Sequence, residues 1–297
     1  MKILVSGSTG FVGSALQTVL TARRHQVVAL VRGGTETDGA SVHWDPLTGS
    51  LDHTQLEGID AVVHLAGENV AGGRWNPARK ERIRASRVEG TRLLASKLCQ
   101  LERPPAVAVC ASAIGYYGSR ADAVMTEEST PGSGFLAEVT QEWEKATEPM
   151  SDSGIRVVNM RIGVVLSPIG AALERMLLPF RLGLGGRVGN GHQYMSWITL
   201  EDVVDAISFA LGNDSLHGPV NTVAPGSVTN RHFTRALGHA VRRPTLLPLP
   251  AWFVRLAMGE MGEDLLLSST RVDPVRLQHA GYEFHHPTIE SALEHML

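Results

Sequence analysis

The stretch Gly7-Ser8-Thr9-Gly10-Phe11-Val12-Gly13 follows the apolar run Ile3-Leu4-Val5 and opens a helical pattern that continues to about Arg24. A strand, a glycine-rich turn and a helix in this order form a cradle for a pyrophosphate. The first glycine permits a tight turn, the second lets the backbone approach the phosphates, and the third lets the helix pack closely on the strand. The helix amino terminus adds N–H groups and the positive end of its dipole. An ordinary glycine turn is the alternative, and the flanking strand and helix make it the weaker interpretation.

A second apolar run, Val27 to Val31, ends about 20 residues beyond this turn. In NAD-binding sites of this kind an Asp or Glu at that place binds the ribose 2′-hydroxyl, whereas this chain has Arg32. A guanidinium can form charge-assisted hydrogen bonds with a 2′-phosphate instead. The sequence therefore predicts NADP as the cofactor.

The composition excludes several classes of protein. With 297 residues, 43% of them hydrophobic, the chain can bury one large core or two modest ones. A net charge of −3 with scattered Lys and Arg argues against a nucleic-acid partner and against a membrane surface. We see no signal peptide or membrane-spanning segment, so the expected location is the cytoplasm. Cys99 and Cys110 are too few for a disulfide framework or a zinc site, and we expect both to be buried.

The first half of the chain alternates strand-like and helical patterns. The strand-like runs are Ile3–Val5, Val27–Val31, Ala61–Ala66, Val107–Ala111 and Val157–Ile162. The helical patterns are Gly13–Arg24, about Pro77–Leu101 and Leu136–Met150. Nearly continuous apolar runs are typical of a parallel sheet that is covered on both faces. The predicted class is therefore α/β, with a doubly wound parallel sheet.

The pattern changes after Ile162. A glycine-dense segment, Gly183 to Gly191, precedes a helical pattern from about Leu200 to Leu211, and we expect this half to form something other than another sheet repeat. A cluster of prolines marks a boundary, and helical patterns then dominate from Ala251 to Leu297. We predict a first domain over 1–245, with a substrate-lobe excursion at about 168–197, and a small, mainly helical carboxy-terminal domain over 246–297.

Long motifs along nearly the whole chain resemble those of the extended short-chain dehydrogenase/reductases, in the nucleotide-sugar epimerase branch. Within that branch the chain resembles the family that includes the SDR39U type and bacterial cell-division-inhibitor-like proteins. The matching segments are 7–13, 60–69, 74–75 with 86–87, 112–118, 143–144, 161–166, 178–186 with Gly189, Gly191 and Gln193, 197–202, 274–277 and 280–284. The resemblance implies a Rossmann-type fold that binds NADP, a substrate lobe and a small carboxy-terminal domain.

The predicted cofactor-binding residues combine the glycine motif with matching positions of the family. Arg87 occupies the Asn position of an Asn-x-x-Gly-Thr motif of extended relatives, where the resemblance implies that it faces the cofactor; a surface Arg on a basic helix is the alternative. The full set is Gly7, Thr9, Gly10, Phe11, Val12, Gly13, Arg32, Leu65, Ala66, Gly67, Arg87 and Val165.

The catalytic pattern of the superfamily is missing. That pattern needs a Tyr, a Lys four residues later and a Ser or Thr that holds the substrate oxygen. The stretch Phe135 to Glu142 contains no Tyr, and Lys145 lies too late to be its partner. The superfamily's hydroxyl position falls near Ala113, one residue after Ser112.

Three hydroxyl groups are therefore the candidate catalytic residues: Tyr116, Tyr117 and Ser112. The two tyrosines follow the carboxyl end of a strand, where ligands bind in open α/β sheets. A phenol without a neighbouring cation is a poor acid–base catalyst at neutral pH, so packing is the alternative role for at least one of them.

Other polar and aromatic residues have two interpretations each. Glu68 and Asn69 either meet polar substrate groups or belong to a solvated loop, and the Gly183–Gly191 segment is either a flap or a set of tight turns. We expect His64 to be a core residue and Trp143, Trp197 and Trp252 to pack in the core or lobe. We predict no metal site, since the doublet His285-His286 has no partner at ligand spacing.

Two functions follow from these observations. The first is an NADP(H)-dependent oxidoreductase or epimerase-like enzyme that acts on a small polar carbonyl or sugar-like substrate. The second is a non-catalytic NADP(H)-binding redox sensor or regulator, which the missing Tyr-Lys pair favours. The expected partner is a small molecule, and a homodimer or a protein partner stays open.

Overall fold

The computed structural model describes residues 1–33, 41–170 and 172–297. Its strands in chain order are β1 (Lys2–Ser6), β2 (Gln26–Arg32), β3 (Ser41–Asp45), β4 (Ser50–Leu51), β5 (Ala61–His64), β6 (Val107–Ala113), β7 (Val124–Met125), β8 (Arg156–Ile162), β9 (Val164–Leu166), β10 (Tyr194–Met195), β11 (Trp197–Thr199), β12 (Gly218–Thr222), β13 (Val228–Thr229) and β14 (Arg271–Val272). Its helices are α1 (Phe11–Ala22), α2 (Pro77–Leu98), α3 (Phe135–Lys145), α4 (Glu148–Asp152), α5 (Ala172–Arg181), α6 (Leu200–Gly212), α7 (Asn230–Ala240), α8 (Ala251–Met258), α9 (Glu260–Gly262), α10 (Val275–His279) and α11 (Ile289–Met296).

One large sheet organises the described residues, in the order β12-β8-β6-β5-β1-β2-β3-β4. Its neighbouring strands are parallel, except that β4 runs antiparallel to β3. This arrangement confirms the predicted doubly wound sheet. Because β1 lies between β2 and β5, the chain reverses its direction of strand addition there, and a crevice is expected at the carboxyl ends of β1 and β5.

Successive side chains of the central strands explain why both faces of the sheet are covered. Ile3 and Val5 point into a core with Leu16 of α1 and residues of α6, whereas Leu4 lies in a second core with Leu94 of α2. All five side chains are fully buried or nearly so. A strand that is apolar at every position therefore stabilises two helical layers at once.

The structure corrects two predictions about elements. The second half does add a sheet strand, because β12 pairs in parallel with β8 at the edge. The sequence of β12 does not have the apolar pattern of a buried strand. Pro219 is unusual in a strand, and Asn221 and Thr222 are polar yet fully buried. The helix predicted over Leu136–Met150 is divided into α3 and α4, with Pro149 at the beginning of α4.

A third core joins residues 172–197 to the end of the chain. It contains Leu177 of α5, Trp197 of β11, Phe233 of α7 and Leu293 of α11. Trp143 and Trp197 are buried as expected, but Trp252 of α8 is 64% exposed, which contradicts the packing role predicted for it.

None of the described helices combines the length and the apolar character needed to cross a membrane.

Candidate functional site

The turn between β1 and α1 is built from glycines that the backbone contacts require. Gly7 has a φ of +67°, a conformation that favours glycine, and its carbonyl oxygen accepts the N–H of Gly10 at 2.9 Å. A Cβ on Gly13 would lie 2.1 Å from that same oxygen, so the helix rests directly on the turn. Gly10 precedes α1 without any side-chain cap, which leaves the amino terminus of the helix able to bind an anion.

The segment after β5 lies beside this turn. A Cβ on Gly7 would lie 2.8 Å from the carbonyl carbon of Leu65 and 2.9 Å from the nitrogen of Ala66. The hydroxyl of Ser6 accepts the N–H groups of Leu65 and Ala66, at 3.1 and 3.3 Å. The structure thus brings the glycine motif and Leu65-Ala66-Gly67 together at the predicted crevice.

His64 belongs to a buried hydrogen-bond chain below the crevice. Thr91 donates its hydroxyl proton to the carbonyl of Arg87 at 2.6 Å, so its oxygen accepts from Trp143 Nε1 and from His64 Nε2, each at 3.0 Å. His64 Nδ1 then accepts from the Ser6 hydroxyl at 2.6 Å. Burial lowers the pKa of His64 to about 4, which keeps the imidazole neutral at neutral pH. His64 is therefore a satisfied core residue, as expected.

Arg87 does not lie on a solvated helix face. Its Nη1 donates to the carbonyls of Glu68 and Ile83, at 3.0 and 3.2 Å, and its Cζ lies 5.1 Å from the centre of the Trp143 ring. A Cβ on Gly67 would lie 3.3 Å from the same Cζ. Burial lowers the pKa of Arg87 to about 10, so the side chain remains a cation at neutral pH. The guanidinium supports the loop after β5 through the carbonyl of Glu68.

The loop that begins with Glu68 and Asn69 is held by a second arginine. Arg79 Nη2 donates to the carbonyl of Asn69 at 2.7 Å and lies 3.9 Å from a carboxylate oxygen of Glu68. Asn69 Oδ1 accepts the N–H of Ala71 at 2.9 Å. The amide of Asn69 thus shapes the loop, and a substrate contact of Glu68 or Asn69 stays a prediction.

Arg32 and Val165 complete the set of predicted cofactor residues. Arg32 is exposed at the end of β2, opposite Trp44 of β3, and residues 34–40 after it lie outside the described residues. Val165 is half-buried in β9, where it pairs with Ile198 of β11. Arg32 has the exposure that a contact with a bound phosphate requires.

A buried ion pair joins α3 to β8 behind the candidate catalytic residues. Arg161 donates from Nε and Nη2 to the two carboxylate oxygens of Glu144, at 2.8 and 2.7 Å. The side chains are 3% and 14% exposed. The hydroxyl of Ser112 donates to the same carboxylate at 2.5 Å. Ser112 is 4% exposed and already bonded, so this geometry favours a structural role for it.

Tyr117 extends this network to β12. Its hydroxyl accepts from Arg161 Nη1 at 2.9 Å and donates to Asn221 Oδ1 at 2.6 Å. The side chain has no exposed surface, and burial raises its pKa to about 12. A phenol that is buried, doubly bonded and difficult to ionise is a poor candidate for proton exchange with a substrate.

Tyr116 is placed differently from its neighbour. It is half-buried, and its hydroxyl has no hydrogen-bond partner within the described ranges. The guanidinium of Arg161 lies over its ring, with Cζ 3.5 Å from the ring centre. A cation beside this phenol could not be predicted from the sequence, because Arg161 lies 45 positions further along the chain and reaches it through the pairing of β6 with β8. The charge of that cation is already balanced by Glu144.

The glycine-dense segment, Gly183 to Gly191, makes close backbone contacts with the segment around Leu247 and Leu249. The N–H of Gly189 donates to the carbonyl of Leu249 at 2.9 Å. A Cβ on Gly186 would lie only 1.9 Å from the carbonyl oxygen of Leu247. The amide of Gln193 donates to two carbonyls, of Val188 and Leu266. These contacts favour tight turns and close packing over a mobile flap.

Most of the chain matches two family profiles. A profile of the NAD dependent epimerase/dehydratase family matches residues 3–223, and one of DUF1731, a domain of unknown function, matches residues 249–296. An epimerase family protein of Mycobacterium bovis is 46% identical and covers 98% of this chain and 96% of its own length. The predicted division at residues 245 and 246 stays a prediction.

Two solved structures are similar along the whole chain. The crystal structure of human epimerase family protein SDR39U1 (isoform 2) with NADPH has a TM-score of 0.91 and 37% identity, and covers 100% of this chain and 99% of that one. The nucleoside-diphosphate sugar epimerase of Corynebacterium glutamicum has a TM-score of 0.83 and 34% identity, and covers 100% of this chain and 58% of that one.

Replacement of Glu144 by Gln tests the buried network. The change leaves the Arg161 cation buried without its counter-charge, so we expect the free energy of unfolding to fall by about 3–5 kcal/mol. Unfolding in urea, followed by circular dichroism, measures this. Glu89→Gln is the control, because Glu89 and Arg92 form an exposed pair for which a change below about 1 kcal/mol is expected. Equal small effects of the two variants would contradict the structural role assigned to Glu144.

Proposed function

Because the chain belongs to the NAD dependent epimerase/dehydratase family, we propose that it is an NADP(H)-dependent oxidoreductase of the epimerase type. Its proposed substrate is a small polar carbonyl or sugar-like compound. The observation that supports this best is the uncapped amino terminus of α1 on a glycine turn at the switch point of the sheet. Phosphate groups bind at such helix ends through backbone N–H groups and the helix dipole.

The residues present fit a dinucleotide. Any side chain at Gly7 or Gly13 would collide with backbone atoms, and Gly10 keeps the turn narrow, with a Cβ position 3.0 Å from the carbonyl of Gly7. Gly67 adds an exposed backbone segment next to the turn. In the proposal the pyrophosphate binds at residues 7–13, and the adenosine ribose passes Leu65 and Ala66. When bound, NADP(H) supplies or accepts the hydride, and the protein positions the substrate.

Arg32 is the proposed determinant of the choice between NADP and NAD. It is an exposed cation at the end of β2, where a carboxylate would select the 2′-hydroxyl of NAD. The human relative was solved with NADPH, which agrees with this proposal. Arg87 has a different proposed role, since its Nη1 already holds the loop after β5; it fixes Gly67 beside the cofactor and adds positive potential there.

Tyr116 is the proposed proton donor and acceptor at the reaction centre. It stands at the carboxyl end of β6, its hydroxyl is free of internal partners among the described residues, and its ring is fixed by Arg161. Ser112 and Tyr117 support it indirectly: both hydrogen-bond to the Glu144–Arg161 pair, which orients that guanidinium. In this proposal the buried pair positions the phenol, and only Tyr116 meets the substrate oxygen.

The alternative function is a non-catalytic NADP(H)-binding sensor or regulator. The observation that favours it is the internal bonding of Ser112 and Tyr117, because Tyr116 then has the one candidate hydroxyl group of the three without an internal hydrogen bond among the described residues. The two functions share the cofactor site and differ in turnover.

Arg32→Asp tests the cofactor preference. Each charge-assisted hydrogen bond to the 2′-phosphate contributes about 1.5–3 kcal/mol, so the unmodified protein should bind NADPH at least about tenfold more tightly than NADH. We expect the variant to lose that preference in a fluorescence titration. Arg103→Asp is the control, because it makes the same charge change at an exposed residue before the amino end of β6, whereas Arg32 lies at the carboxyl end of β2. Retention of the preference in Arg32→Asp would refute the assignment.

Tyr116→Phe tests catalysis. With NADPH and a panel of polar carbonyls and nucleoside-diphosphate sugars, we expect the variant to reduce kcat by about 10²–10⁴-fold while NADPH affinity is unchanged. Tyr117→Phe is the comparison, and its main effect should be on stability, because its hydroxyl is buried and doubly bonded. Undiminished turnover in Tyr116→Phe would move the proton donor elsewhere. Tight NADPH binding without turnover of any substrate would support the sensor.

A further inference from the structure

We propose that Glu201, His286 and His295 form a binding site for one divalent transition-metal ion of the zinc class. The residues come from the first turn of α6, from the loop before α11 and from α11 itself. One ligand atom of each lies within 4.8 Å of the other two. The sequence could not indicate this site, because Glu201 is 85 positions from His286.

The distances from Glu201 to the two histidines are close to those around a tetrahedral ion. Zinc–nitrogen and zinc–oxygen bonds of about 2.0–2.2 Å separate neighbouring ligand atoms by about 3.3–3.6 Å in a tetrahedron. Here Glu201 Oε2 lies 3.3 Å from His286 Nε2 and 3.8 Å from His295 Nε2. Glu201 and His295 are 50% and 61% exposed, so small side-chain rotations can shift their ligand atoms by a few tenths of an ångström.

The backbone that carries the ligands is fixed. The buried carboxylate of Asp202 accepts the N–H groups of His285 and His286, at 2.8 and 3.2 Å, and the hydroxyl of Tyr282 donates to the carbonyl of Asp202 at 2.9 Å. On the other side, Leu293 and its neighbours hold α11 in the third core. The two imidazole rings that these segments carry have centres 4.5 Å apart and planes inclined by 33°. Prior placement of the ligands reduces the ordering that an ion would have to impose.

The donor set selects the class of ion. Two imidazole nitrogens and one carboxylate oxygen favour Zn²⁺, Co²⁺ or Ni²⁺ over Mg²⁺ and Ca²⁺, which prefer oxygen ligands. All three residues line a cavity of about 420 Å³ that also includes Ser167 and Arg23. Water in that cavity supplies the fourth ligand. An ion here fastens the segment from His286 to α11 onto α6, which is a role separate from the cofactor crevice.

The test titrates the full-length, chelator-treated protein with Zn²⁺ in a calorimeter. We expect one ion per chain, a rise in Tm with Zn²⁺, and the visible absorption of four-coordinate Co²⁺ when Co²⁺ is the probe. His295→Ala and Glu201→Gln should each weaken Zn²⁺ binding at least about 100-fold, since the loss of an outer-shell partner alone costs 10–100-fold. Both residues are exposed, so these variants should fold, which circular dichroism checks.

His232→Ala is the matched control. His232 and Glu290 form an equally exposed histidine–carboxylate pair at 2.6 Å. Its replacement should leave Zn²⁺ affinity unchanged. The proposal is overturned if the unmodified protein binds no Zn²⁺ stoichiometrically, if His295→Ala and Glu201→Gln keep the parent affinity, or if His232→Ala weakens binding as much as they do.

Discussion

The contact between Gly13 and the carbonyl oxygen of Gly7 fixes the geometry on which the rest of the site depends. It leaves no space for a side chain, so the first turn of α1 rests on the end of β1. Gly7 in turn rests against Leu65, which joins the carboxyl ends of β1 and β5. The two buried cores on either face of the sheet hold these strands and α1 in place. An anion-binding helix terminus at the switch point is the consequence.

The buried pair of Arg161 and Glu144 has a comparable role for the reacting side of the crevice. Such a pair contributes little net stability, because desolvation opposes the attraction of the charges, but the loss of one partner is costly. It connects α3, β6, β8 and, through Tyr117 and Asn221, β12. The helix that lacks the Tyr-Lys pair of the superfamily thus contributes a carboxylate, Glu144, that orients a cation beneath Tyr116.

The sequence predicted what depends on local pattern and missed what depends on tertiary partners. Continuous apolar runs gave the class of fold and five strands of the large sheet, since burial on both faces leaves a pattern in the chain itself. Strand β12 was not predicted, because its polar residue Asn221 can be buried only with the hydrogen bond that it accepts from Tyr117, about 100 positions earlier in the chain. The surroundings of Ser112 and His286 could not be predicted for the same reason, because the residues that they contact lie far away in the sequence. The glycine motif could be predicted from the sequence, because the backbone geometry that it forms is local.

A crystal structure of this chain with bound NADPH would show whether the glycine turn and Arg32 bind the cofactor for chemistry beside Tyr116. We expect the pyrophosphate at the amino terminus of α1 and the 2′-phosphate within hydrogen-bond distance of Arg32. We also expect the nicotinamide ring to face an open, polar space next to the Tyr116 hydroxyl. A 2′-phosphate bound away from Arg32, or a nicotinamide sealed from that space, would contradict the proposed function.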